Sequence, residues 1–276
     1  MLINTKIIPL IFVFFLCSQR LQAQCITTNN TISSGEKISY EVYYNWGFFW
    51  FNAAEVYFKT DSLVQNNVPL YHFISQGRTH DNYDWFFKVR DTYESYVEAS
   101  TFKPFLAKRN TSEGRNKVNE RYVFNHNRGL LYTSVVTSKK ALKLDTLKVP
   151  PCIFDVLSAT YYARNIDFSK CKAGDKIPIN IIIDNEVFNL YIRYIGREII
   201  TNKDKSRYRC IKFKALIIEG SIFKGGEDLT VWVSDDETKI PVYIEAKILV
   251  GTIKAYIKEA IGLRHPMAGK LENHKK

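Results

Sequence analysis

Residues 227–258 constrain the fold more than any other stretch of this chain. The run EDLTVWVSDDETKIPVYIEAKILVGTIKAYIK alternates β-branched and aromatic side chains with polar ones in period two. A strand presents successive side chains to opposite faces, so this alternation marks half-buried strands rather than helix. Ile240, Val242, Ile244, Ala246, Ile248 and Val250 hold one phase, while Ile253, Ala255 and Ile257 hold the other. The apolar face therefore changes parity at Gly251, as it does at a bulge or tight bend. Strands typically run about 3–10 residues. Three strands are expected here, with corners at Asp235–Lys239 and near Val250-Gly251. The stretch carries architecture rather than an active site.

The same period recurs upstream at Ile38–Trp46, Phe49–Thr60, Pro69–Gly77, Phe86–Glu98, Pro104–Thr111, Lys117–Asn125, Leu130–Thr137 and Ala141–Lys148. Turn formers such as Asn66-Asn67, Gly114 and Asn127-Arg128-Gly129 separate them. After Pro150-Pro151, the segment Phe154–Asn165 has a helical period in Val156, Leu157, Thr160, Tyr161 and Arg164, with Asp155 at its favourable amino-terminal end. Strands resume at Lys176–Ile183, Val187–Ile195, Glu198–Asn202 and Tyr208–Glu219. Many short strands and one helix predict an all-β protein, an antiparallel meander curled into a barrel or half-barrel. The helix, about Asp155–Asn165, is expected against the sheet, and residues 24–276 are expected as a single β domain.

Met1–Ala23 reads as a Sec-type signal peptide: Lys6 precedes an apolar run, Ile7–Cys17, and Ala23 closes the segment. That run is too short to span a bilayer, and no other apolar run is longer, so no transmembrane segment is expected after signal removal. Gln24 before Cys25 argues against lipidation of that cysteine. Export to an oxidising periplasm or cell envelope leaves Cys25, Cys152, Cys171 and Cys210, whose pairing the residues alone leave open. The formal charge of +11 includes Lys6 and Arg20, which leave with the leader, and the remaining excess is dispersed. A nucleic-acid binder would concentrate it in a stripe, so nucleic acid is not an expected partner.

Local motifs for chemistry are few. The five histidines form no H-E-x-x-H pattern, and no G-x-S-x-G, P-loop or G-x-G-x-x-G is present. His80, Asp81 and Asp84 could offer one nitrogen and two oxygens to a metal, but a solvated loop explains them as well. No metal, other cofactor or catalytic residue is expected. Asp91 and Glu94 form the carboxylate pair an envelope hydrolase would want, with His80 beside them, and Asp235-Asp236-Glu237 reads as a hairpin turn. Aromatics crowd Tyr43–Phe51. Such a cluster usually fills a core, but it could also wall a cavity for a lipid-like or glycan ligand. Tyr44, Trp46, Trp50 and Trp232 are the candidates for that wall.

Gly35-Glu36-Lys37 with Tyr40–Val56, then Phe86–Glu98, Cys152 leading into Asp155–Arg164, Tyr208–Phe213, and the TVWVSDD…KIPV…GTIKAYI run together resemble the domain of unknown function 3108 family of exported bacterial proteins. The resemblance covers about residues 35–258. It implies an all-β envelope protein and brings no catalytic residues with it. It also favours Cys152 with Cys210 as a disulfide, since both lie in family-like contexts. A half-barrel with a helix over its mouth resembles periplasmic lipoprotein carriers in fold alone. The expected function is a non-enzymatic envelope protein binding an apolar ligand or a protein partner in a curved sheet. An envelope hydrolase acting on glycan or peptide, and a structural component of an envelope complex, are the alternatives.

Overall fold

The structure, a computed structural model, describes residues 28–46, 48–218 and 225–272. Its strands are β1 (Lys37–Trp46), β2 (Phe49–Gln65), β3 (Val68–Thr79), β4 (Val89–Glu98), β5 (Pro104–Glu113), β6 (Asn116–Asn125), β7 (Leu130–Thr137) and β8 (Lys143–Lys148), then β9 (Ile153–Phe154), β10 (Lys176–Ile183), β11 (Glu186–Thr201), β12 (Arg207–Ile217), β13 (Gly226–Ser234), β14 (Pro241–Lys247), β15 (Thr252–Ile261) and β16 (Lys270–Leu271). One helix, α1 (Val156–Ala163), interrupts them. All join one curved sheet ordered β8-β7-β6-β5-β4-β3-β2-β1-β15-β14-β13-β12-β11-β10-β9, with β16 beside β12. The all-β expectation holds. The sheet does not close, because its two ends, β8 and β9, do not pair. At β8 the exposed lysines Lys143 and Lys148 guard the open edge.

The parity change at Gly251 resolves as a turn between β14 and β15. Ala246 pairs with Ile253 and Ile244 with Ala255, so both apolar phases face the same side. Gly251 has φ +90, and a Cβ there would lie 2.4 Å from the Asn45 carbonyl oxygen, so only glycine fits. The other corner, at Asp235–Lys239, is also a turn. There the Asp236 carboxylate accepts from the Ser234 hydroxyl, the Thr238 N–H and the Gly269 N–H. Two expectations need correction. Val187–Ile195 and Glu198–Asn202 are one strand, β11, bent by a register shift between Tyr194 and Gly196. The strand expected from Phe86 starts at Val89, after a short 3-10 turn at Asp81–Tyr83.

The helix fills the space inside the curl. Asp155 caps it, accepting from the N–H groups of Leu157 and Ser158 and from the hydroxyls of Ser158 and Ser95. Its buried residues are Leu157, Ser158, Tyr161 and Tyr162, a stripe rotated from the expected one, with Thr160 turned to solvent. Leu157 and Tyr161 pack on Phe73 of β3, Val97 of β4 and Phe102, and the Tyr161 ring stacks on Phe73 at 3.7 Å. Tyr162 packs with Phe154, Phe168, Tyr194 and Phe213 against β11–β13. Beyond the helix the two arms of the sheet touch directly, Ala107, Tyr122 and Leu131 meeting Ile153 and Ile182. Burying such side chains contributes about 1.5–3 kcal/mol each. Among the described residues, the helix and these side chains occupy the space between the arms of the sheet.

Candidate functional site

Among the described residues, the hollow inside the curl is too small for a lipid. Beside the helix N-terminus lies a hollow of about 20 Å3, bounded by Tyr93, Arg109, Glu120, Tyr122 and Asp155. That suits one water molecule, whereas pockets for small organic ligands span about 300–1,000 Å3.

The proposed wall aromatics do not line one cavity. Tyr44 shares the helix-bearing face of β1 with Tyr40, and its hydroxyl donates to the Val250 carbonyl. Trp50 lies on the other face, its ring 4.4 Å from Lys254 Nζ, and Lys254 pairs with Tyr43 across β15 and β1. Trp232 is 7% exposed, donates its indole N–H to Glu198, and stacks on Tyr243 at 4.7 Å. The Trp46 side chain lies outside the described residues. Strand alternation is the physical reason: Tyr43 and Tyr44, like Trp50 and Phe51, must point opposite ways.

On the face away from the helix, Trp232, Tyr243, Tyr256 and Tyr43 form a cross-strand aromatic row, with rings 4.7, 4.8 and 5.7 Å apart. Glu198, Glu245 and Glu41 accept from Trp232, Tyr243 and Tyr43 respectively. Lys212 and Lys203 sit over rings of this row. The Trp232 indole and the Tyr243 and Tyr43 hydroxyls are satisfied within the protein, which makes the row a stabilising ladder.

The carboxylate pair and its histidine are likewise separated. Asp91 faces the helix side of β4, whereas Glu94 faces the other side and bonds His72 and Tyr96. His80 bonds Asn52. Asp81 and Asp84 are engaged by Arg90, at 3.0 and 2.7 Å, so the metal reading of that loop loses its oxygen donors to a guanidinium. The Cys152–Cys210 bridge is not formed. Cys210 is a buried free thiol packed with Trp232 and Tyr208, while Cys152 packs with Phe154 in a different cluster. Burial and the nearby carboxylates of Asp236, Asp235 and Glu198 push the Cys210 thiol up to about 12.

What the arrangement does bring together is a polar cluster that local motifs missed. Arg109 of β5 reaches Glu120 of β6 at 3.3 Å and Asp184, in the β10–β11 turn, at 3.1 Å. Glu120 is 2% exposed; burial pushes it up to about 7 despite the Arg109 charge. Burial likewise pushes Asp91 up to about 6, against the Ser112 N–H that its carboxylate accepts. Arg109 Nε and Glu120 Oε1 have no protein partner. The available signal was phase: in β6, Glu120 lies in step with Val118, Tyr122 and Phe124, a polar residue on the buried side.

A second, open hollow of about 510 Å3 lies over β2–β5, lined by Glu55, Tyr57, Arg78, Arg90 and Asn110. Among the described residues no helix is long and apolar enough to cross a membrane.

A sequence profile of the family described as "Protein of unknown function (DUF3108)" matches residues 39–258. Comparison with curated proteins finds no match. The crystal structure of a beta-barrel-like protein of Domain of Unknown Function DUF1849 from Brucella abortus is similar over 82% of this chain and 97% of that one, with a TM-score of 0.48 and 9% identity.

Proposed function

This chain belongs to the DUF3108 family, a group of unknown function, and from that premise we propose that it is an exported, non-enzymatic envelope protein that binds with its outside. The filled interior carries this reading. A carrier needs a cavity, and the space inside the curl is taken by α1, Phe73, Phe102 and Phe168. Contacts with other envelope components then fall to the outer surface, where apolar side chains stand exposed at one end of the sheet. The leader-like Met1–Ala23 supports export.

Fractionation of the producing cells, with native mass spectrometry of the purified protein and in-cell crosslinking, tests this. The expected result is an envelope-located chain without bound lipid that crosslinks through its exposed apolar tips. A cytoplasmic chain, or one carrying a stoichiometric lipid, overturns the reading.

One observation favours a hydrolase as the second reading. Asp91 and Glu120 both have raised carboxyl pKa values and share the neighbourhood of Arg109. Hydrolysis of glycan or peptide that is lost in Glu120→Gln, with the fold intact, would support it. No turnover by the wild-type protein on peptidoglycan fragments would remove it.

A further inference from the structure

Three apolar tips project from the same end of the sheet: Phe48–Trp50 between β1 and β2, Trp85–Phe87 between β3 and β4, and Leu249–Val250 between β14 and β15. Phe48 is 98% exposed and Trp85 83%. Singly exposed apolar residues need no explanation, but these tips are physically joined. Tyr44 links Val250, through its hydroxyl, to the Phe51 ring 6.4 Å away. Phe51 in turn lies 6.2 Å from Tyr83, whose carbonyl accepts from the N–H groups of Phe86 and Phe87. The strands flanking each tip place all three at this end of the sheet.

The unpaired charge at this end of the sheet is mainly positive. Arg115, Lys117, Lys139, Lys140 and Lys247 are exposed in turns or strand ends at this same end and make no ion pair among the described residues. Asp81 and Asp84 are occupied by Arg90 and Asp184 by Arg109, which leaves Glu186, among the described residues, as an exposed unpaired acid against five unpaired cations. Aromatic side chains flanked by free cations match the interface of an anionic bilayer, where rings enter the headgroup layer and lysines meet phosphates. Protruding tips at the end of a sheet, linked beneath by Tyr44, Phe51 and Tyr83, offer insertion points rather than the flat packed patch of a protein interface.

We propose that this rim docks the protein onto the surface of an anionic lipid bilayer, with Phe48 and Trp85 as the inserting side chains. The proposal rests on the outer-surface reading above and names its partner.

The test is co-sedimentation of the purified protein with vesicles of phosphatidylcholine alone and of phosphatidylcholine with phosphatidylglycerol. The expected result is binding to the anionic vesicles, weakened by salt, with a blue shift in tryptophan fluorescence. The double variant Phe48→Ser with Trp85→Ser should lower partitioning about tenfold. Lys139→Glu with Lys140→Glu should lower it on anionic vesicles only. Both pairs are exposed, and circular dichroism checks that the variants fold. Undiminished binding by the Phe48/Trp85 variant, or no binding to either vesicle, overturns the proposal. If vesicles fail but the tips crosslink to an envelope protein or a second copy, the bilayer is excluded and the outer-surface reading stands.

Discussion

Arg164 and Glu36 form a bidentate ion pair, Nη1 to Oε1 at 2.5 Å and Nη2 to Oε2 at 2.9 Å, with side-chain exposures of 4% and 1%. The same guanidinium donates to the carbonyls of Thr31 and Thr238. One side chain at the end of α1 therefore ties the helix to the segment before β1 and to the β13–β14 turn.

Breaking that pair leaves a buried charge without its counterion. Glu36→Gln is expected to lower unfolding stability by about 3–5 kcal/mol. The double variant Glu36→Leu with Arg164→Met should cost less than the sum of the two single changes. Urea unfolding of the three variants checks both statements.

Glu120 sets a pH dependence of defined sign. Its carboxyl is raised from an ordinary 4.5 to about 7, mainly by burial, so the folded chain holds a proton that the unfolded chain releases. Stability is highest below the unfolded value and falls as pH rises from about 4.5 to about 7. Asp91, raised to about 6, acts in the same direction. Glu120→Gln should flatten the fall, by at most on the order of 3 kcal/mol. Chemical denaturation across that range measures it.

Two glycines with similar backbone angles should respond differently to alanine. Gly174 has φ +97 with nothing within 4 Å of a new Cβ, so Gly174→Ala meets backbone strain alone, about 1 kcal/mol. At Gly251 the new Cβ also strikes the Asn45 carbonyl, so Gly251→Ala should cost clearly more and lower the melting temperature further.

The Cys210 thiol should resist alkylation in the native protein, because burial keeps it protonated. Iodoacetamide followed by peptide mass mapping should modify Cys210 only after unfolding, with the partly exposed Cys171 ahead of it. A Cys152–Cys210 disulfide peptide from the native protein would contradict the structure.

The strands, the helix and its Asp155 cap were legible because period and turn chemistry are local. The corner at Gly251 could be placed from a change of parity alone. Gly196 misled for the opposite reason: a bulge lets β11 continue where a glycine suggests a break. The wall aromatics failed because alternation shows that Tyr44 and Trp50 occupy particular faces without showing which face the helix covers. Arg109, Glu120 and Asp184 meet across β5, β6 and the distant β10–β11 turn, a juxtaposition that depends on how the two arms curl together.

The strand order has a consequence for how the molecule is made. Each neighbouring pair from β1 to β8, and from β10 to β15, is a hairpin close in sequence, whereas β1 with β15 joins Lys37–Tyr44 to Ile253–Ile261. Among the described residues this is the longest-range seam, with the two-residue β12–β16 pairing the other non-local one, and its high loop-closure entropy is expected to slow assembly. Until residues near the C-terminus emerge, β1 remains an unpaired template for other chains. A chain interrupted before Thr252 would hold two ready meanders joined through α1 and the cluster of Ala107 and Ile182 but lacking the strand that hydrogen-bonds β1 to β14.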